Sequence, residues 1–369
     1  MKHPTRYLLG LLVLAVVGLA FGCSNTDRDP IAPAGDSPEA LFTAAHPGIE
    51  NALIVQEMHT GELMKDPEVV GTATGLTDAG EPSVIVLLMS ERGRGRVPDR
   101  LDGVPVTKIV TGPMKAYKKP TPTPGDDPKS RLTRPIQLGV SGGNANDLAN
   151  GYCCSGTLGA LITKAGKYYI LSNSHVLAGD IAASATDPDK AVIGDPIDQP
   201  GLIDVQCQKI SADFVANLSS LSSLPGNTNV DCAIAEIIPG MVRTDGSILG
   251  IGTLSSATLE AYVNLPVKKA GRTTGLTSSK VYAINGNVTV GYEDECNGVA
   301  FTVYYTGQIF VTNRANKFLN SGDSGSLLVE NVTTNPRAVG LCFAGGGGYA
   351  IANPIDDVLS YFGASMVGN

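Results

Sequence analysis

Apolar residues fall into three successive patterns along this chain. The first is a run from Tyr7 to Phe21 broken only by Gly10 and Gly18. At about fifteen residues it is shorter than the roughly 18 to 20 that a helix needs to cross a bilayer, and no later run approaches that length. A polar, proline-bearing stretch from Asn25 to Asp36 follows and reads as a flexible tether over residues 23–36. Ser37-Pro38-Glu39 then brings a capping hydroxyl, a proline suited to the first helical position and an acid suited to the helix dipole. The pattern predicts a helical stretch from Ser37 to Met64, interrupted at Pro47.

The second pattern has a period of two. Val69 to Leu76, Ser83 to Ser90 and Val104 to Val110 read as strands, so residues 37–116 are expected to form a small α+β domain. Arg92, Arg94, Arg96 and Arg100 read as a solvated basic loop, and His46 and His59 as isolated exposed helix positions. Residues 117–134, with Pro120, Pro122, Pro124 and Pro128, are too proline-rich for a helix or a central strand and read as a linker. From 135 to 369 the third pattern sets in. Short β-branched runs alternate with Gly, Asn, Asp and Ser clusters, and a 3.6-residue period returns only at Ile355 to Phe362. That predicts an all-β sandwich or barrel closed by a helix.

The chain ends modify this picture. Lys2 and Arg6 before the first apolar run make residues 1–22 an export signal. Gly22-Cys23 after it resembles the lipobox of bacterial lipoproteins, which implies lipidation at Cys23, a membrane contact through that lipid and a cell-envelope location. Plain secretory cleavage also fits, since Ala20 and Phe21 stand where leucine and a small residue are usual. Loss of residues 1–22 leaves 25 basic against 35 acidic side chains, which argues against nucleic acid as a partner. Six cysteines then remain: Cys153, Cys154, Cys207, Cys232, Cys296 and Cys342. Disulfides and buried free thiols are both open, and no Cys/His cluster has metal-site spacing.

Candidate chemistry centres on Ser324, in Ser321-Gly322-Asp323-Ser324-Gly325-Ser326 ahead of the apolar run Leu327-Leu328-Val329. A serine hydroxyl becomes a useful nucleophile only when a tight turn fixes it, and flanking glycines let the amides of Gly322 and Ser324 converge on a developing oxyanion. An α/β-hydrolase elbow would need glycine where Ser326 stands. The base must be His175, the only histidine after residue 59, at the end of the run Tyr168-Tyr169-Ile170-Leu171-Ser172. The orienting acid should border an apolar strand between the two. Asp231, ahead of Cys232-Ala233-Ile234-Ala235, does so better than the runner-up, Asp213.

These blocks, in the order His, Asp, Ser, resemble the trypsin-like, chymotrypsin-clan serine peptidases over about residues 135–362. Gly271-Arg272-Thr273-Thr274-Gly275 and Ala352-Asn353-Pro354-Ile355 are similar to a bacterial secreted group distantly related to the plant narrow-leaf serine peptidases. The resemblance implies a chymotrypsin-like double β-barrel with a C-terminal helix and an endopeptidase activity on protein or peptide substrates without a cofactor or metal. It implies a specificity pocket near Phe318, Phe343, Ala344 and Gly345, where no acid stands, hence a preference for apolar or small P1 side chains. The clan's secreted zymogens are activated when a new apolar N-terminus pairs with the aspartate before the nucleophile. No activation sequence precedes Ile136, so Asp323 needs another partner or none. The competing expectation is a catalytically silent scaffold lipoprotein. The leading domain is read as a propeptide or inhibitor.

Overall fold

Proline at position 47 begins a helix rather than breaking one. In the computed structural model, which describes residues 42–116, 127–149, 152–179, 191–226, 228–293 and 300–369, helix α1 spans Pro47–Leu63. Pro47 sits at its first turn, where a missing N–H costs nothing, and the Nδ1 of His46 caps it by accepting from the Gly48 amide at 3.2 Å. His46 is thus a cap and not a helix position. His59 is not isolated either: its Nε2 lies 2.7 Å from Asp102 Oδ2. The export signal, Cys23, the tether, residues 37–41, residues 117–126 of the linker and Cys296 lie outside the described residues.

After α1 come β1 (Val69–Leu76), β2 (Pro82–Leu88), β3 (Val104–Val110) and the short β4 (Met114–Ala116). β1 and β2 are antiparallel and β2 and β3 parallel, and Ala52 and Val55 of α1 pack on Val84, Val86 and Leu88. The basic loop is laced by Arg92–Glu68, Arg94–Glu91 and Arg96–Asp66 ion pairs at 3.1, 2.5 and 3.0 Å, all with exposed arginines. Such pairs stabilise little.

Seven further strands close the first barrel: β5 (Val140–Asn144), β6 (Gly156–Leu158), β7 (Ala160–Lys164), β8 (Lys167–Ser172), β9 (Pro196–Asp198), β10 (Phe214–Leu221) and β11 (Ala233–Ile237). β6 and β7 are consecutive pieces of one wall. β6 pairs with β5 while β7 continues through β8, β11, β10 and β9 back to β5. Leu158, Leu161, Ile170, Ile197, Val215 and Leu218 fill the inside. Each such side chain contributes roughly 1.5–3 kcal/mol by leaving water.

The second barrel uses β12 (Pro266–Gly271), β13 (Gly275–Glu293), β14 (Ala300–Thr312), β15 (Leu327–Glu330), β16 (Ala338–Gly346) and β17 (Tyr349–Pro354). They close in the order β12, β13, β14, β17, β16, β15 and back to β12. The predicted C-terminal helix (Ile355–Phe362) ends at Gly363, whose φ of 62° suits glycine. Its Ile355, Val358 and Phe362 join Ile162, Leu171 and Ile234 of the first barrel and Leu327 and Leu341 of the second in one apolar cluster.

The leading segment, expected as a domain of its own, is hydrogen-bonded into the second barrel. β13 runs 19 residues, so its outer half offers an open edge. β1 covers that edge with Gly71 opposite Val288 and Gly75 opposite Ala283, and the described residues all belong to one compact unit. β4 then inserts between β13, where Met114 faces Val290, and β16, where Lys115 faces Gly345 and Ala116 faces Ala344. The described end of the linker is anchored as well. Arg131 grips Asp213 through two bonds of 2.5 and 2.6 Å, and Arg134 reaches Gln199 Oε1 at 2.5 Å. Cys153 and Cys207 form a disulfide, whereas Cys154, Cys232 and Cys342 are buried free thiols.

Candidate active site

His175 lies in the short helix α2 (Ser174–Leu177), which starts where the apolar strand β8 leaves the barrel wall. Asp231 precedes β11, the strand next to β8, so the sheet pairing sets the two side by side. His175 Nδ1 and Asp231 Oδ2 are 2.5 Å apart, with His175 3% and Asp231 0% exposed. Asp231 Oδ1 accepts from the amides of Ser174 at 2.7 Å and His175 at 3.3 Å, which locks the carboxylate to the turn carrying the imidazole. The Asn173 amide group donates to the Asp231 carbonyl at 2.7 Å, and the Asp231 N–H donates to Asn353 Oδ1 at 3.0 Å. Asn353 in turn donates to Gln308 Oε1 at 2.6 Å. Asn353, from the Ala-Asn-Pro-Ile block, therefore ties the acid of the first barrel to the second. Asp213, the alternative acid, is engaged by Arg131 and plays no part here.

Ser324 stands on the second barrel just before β15. Gly322 has φ 89° and Gly325 φ 89°, a conformation that side chains disfavour, and a Cβ on Gly325 would lie 2.1 Å from Ser172 Oγ. β6 holds this turn against the first barrel. The Thr157 amide donates to the Ser324 carbonyl at 2.9 Å and its hydroxyl to the Gly322 carbonyl at 2.8 Å. A Cβ on Gly156 would lie 2.5 Å from Val176 and 3.0 Å from the Ser324 carbonyl, so the residue after His175 and the nucleophile turn meet across one glycine. The Ser321 carbonyl accepts from Thr273 Oγ1 at 2.5 Å and the Asp323 carbonyl from the Ser326 amide at 3.0 Å. Because a trans peptide points its N–H opposite to its C=O, the amides of Gly322 and Ser324 face away from those partners.

The Ser324 hydroxyl donates to the Phe343 carbonyl at 3.3 Å, and among the described residues His175 Nε2 has no hydrogen-bond partner. The imidazole–hydroxyl bond is therefore not made in this conformation, as is common before substrate binds.

Asp323 has the partner that the sequence left unassigned. Lys269 Nζ lies 3.3 Å from its Oδ2, both side chains 0% exposed. Burial pushes the Lys269 ammonium down and the Asp323 charge opposes that shift. The Gly-Arg-Thr-Thr block completes the cradle: Thr273 and Thr274 amides donate to Oδ1 at 2.8 and 3.1 Å and the Thr274 hydroxyl to Oδ2 at 2.6 Å. Gly271 is needed because a Cβ there would lie 2.6 Å from Oδ1. Arg272 is buried on Asp204, which also accepts from Ser141 at 2.5 Å. The Cys342 thiol, whose amide and carbonyl pair with the nucleophile turn, is pushed up to about 12 by burial and stays neutral.

The four residues assigned to a specificity pocket are all buried. Phe318 sits in the second barrel's core with Val267 and Val281, and Phe343 and Ala344 pack with Met114 of β4. Gly345 is paired to Lys115. A residue that the motifs did not reveal completes the Asp231 shell: Tyr292 of β13 donates to Oδ2 at 3.0 Å.

Two closed barrels, one carrying the histidine–aspartate pair and the other the glycine-flanked serine, define a mainly β, chymotrypsin-like double β-barrel. No family model matches the sequence. Among solved structures, the chain is similar to a glutamic acid specific serine protease described as using a novel histidine triad in substrate binding (22% identity, 63% of this chain and 100% of that chain, TM-score 0.41). It is also similar to Thermobifida fusca protease A (20%, 63% and 99%, TM-score 0.40) and a Cellulomonas bogoriensis chymotrypsin (21%, 63% and 99%, TM-score 0.39). At such identities and scores the fold assignment rests on the strand pairing itself.

Proposed function

We propose that the protein is a serine endopeptidase that works through an acyl-enzyme. The observation that carries this reading is the buried Asp231–His175 pair, which uses Nδ1 and leaves Nε2 on the wall that packs against the Ser324 turn. In the proposed cycle the Ser324 hydroxyl leaves the Phe343 carbonyl and gives its proton to His175 Nε2 as Oγ attacks the scissile carbonyl. The amides of Gly322 and Ser324 hold the oxyanion. The imidazolium returns the proton to the leaving amine, and water repeats the sequence to free the acid.

With no acid among Phe318, Phe343, Ala344 and Gly345, the preference is for apolar or small P1 residues. Lipidation at Cys23 would hold the enzyme in the cell envelope. None of the described helices is long and apolar enough to cross a membrane.

The leading segment restrains this enzyme. β4 lies antiparallel on the edge of β16 directly after Phe343, whose carbonyl takes the Ser324 hydroxyl, so it occupies the backbone edge nearest the nucleophile. Lys115→Pro removes an N–H from this strand and is expected to raise casein hydrolysis about tenfold. Adding Ser324→Ala is expected to remove at least about 10⁴-fold of that activity. Equal hydrolysis with and without Ser324 would sink the peptidase reading, and an unchanged rate in Lys115→Pro would sink the restraint.

A further inference from the structure

We propose that Tyr292, with Tyr305 behind it, is a positioning residue that sets the basicity of His175 through Asp231. The proposal deepens the peptidase reading and rests on it. Tyr292 is 4% and Tyr305 0% exposed, and their hydroxyls are 2.7 Å apart. Proton accounting fixes the direction of the chain. An ionised Asp231 can only accept, so the single Tyr292 proton points to Oδ2 at 3.0 Å, and Tyr305 must donate to the Tyr292 oxygen. A phenol that receives one hydrogen bond donates a stronger one.

With the Ser174 and His175 amides on Oδ1 and with His175 Nδ1 and Tyr292 on Oδ2, all four acceptor positions of the carboxylate are used. The rings are fixed as well: Tyr292 stacks on Phe301 at 5.0 Å and 5° and meets the His175 ring edge-on at 5.8 Å, and Tyr305 packs on Phe343. Among the described residues the titratable groups facing Asp231 are therefore His175 from α2, Tyr292 from β13, Tyr305 from β14 and the adjoining Cys232. Burial, with the Asp231 charge second, pushes both phenols and the Cys232 thiol well up, so each keeps its proton. The Tyr292 bond withdraws charge from the same oxygen that holds the imidazole. It thereby limits how strongly Asp231 favours the imidazolium, and it fixes the carboxylate plane.

Proton NMR of the full chain reads this directly. In Tyr292→Phe the His175 titration midpoint is expected to move to higher pH, a roughly three- to tenfold tighter hold on the proton, and the low-field Nδ1 proton resonance is expected to shift. Tyr305→Phe weakens the donor without removing it and should move the midpoint the same way by less. A midpoint and low-field resonance unchanged in Tyr292→Phe would reduce Tyr292 to packing. If that variant does not fold, an unchanged midpoint in Tyr305→Phe overturns the proposal. A Ser324 that is inert in both the parent and Lys115→Pro would sink the peptidase reading and leave this titration readable.

Discussion

Asp231 and Asp323 are both withdrawn from water, yet their surroundings balance the charge in different ways. Asp323 has a fixed cation, the buried Lys269 ammonium, within 3.3 Å and a cradle of amides and a hydroxyl. Among the described residues Asp231 has hydrogen-bond donors but no permanent cation, and its positive partner appears only when the imidazole gains a proton. A buried carboxylate that carries a permanent counter-ion is a strut, and its value is geometric. One that is held by neutral donors beside a titratable ring is ready to stabilise a charge that comes and goes. Asp198 shows a third condition. It is buried, its Oδ1 has no hydrogen-bond partner among the described residues, and burial holds its carboxyl well above the usual carboxylate range.

The sharpest break of this comparison is Asp231→Asn. It should leave the fold intact and lower turnover by about 10⁴-fold, since an amide favours the wrong imidazole tautomer. Steady-state rates alongside thermal melts check it, and comparable losses in both would make Asp231 another strut. Lys269→Met should do the reverse. Leaving Asp323 buried without its cation costs about 3–5 kcal/mol in urea unfolding, and the rate per folded molecule should fall far less than in Asp231→Asn. Asp198→Asn sharpens the third case with the smallest effect. The raised folded value means that the native state binds more protons than the unfolded chain above about pH 4, so this group loses stability as pH rises. The variant should therefore be about 1 kcal/mol more stable than the parent near pH 7. That gap should close as pH falls towards 4, and a gap independent of pH would mean that the carboxyl stays ionised.

The sequence made some of these features legible because their chemistry is local. Ser324 was visible from glycines on both sides of one turn, His175 from its scarcity and the strand before it, and Asp231 from the apolar run that it introduces. The strand spacing beyond residue 135 read as an all-β sandwich or barrel, without choosing between them, and the period at Ile355 to Phe362 read as the closing helix. Features that depend on distant pairing were hidden. Tyr292 is an unremarkable member of a long strand, and its role exists only because β13 crosses beside a residue 61 positions earlier. Lys269 follows Lys268 in β12, and nothing local says that it is the one that turns inward to Asp323. Residues 114–116 are too short for a hydrophobic period, so their place beside the nucleophile was unreadable. Pro47 misled because proline suits the first turn of a helix as well as it breaks an interior.

Incubation with a fluorophosphonate, followed by intact mass and peptide mapping, tests the central assignment most directly. In both the parent and Lys115→Pro the account predicts one adduct per chain, on Ser324, forming faster in Lys115→Pro and absent after His175→Ala. A Lys115→Pro protein that stays unmodified, or an adduct that forms equally well without His175, would contradict it.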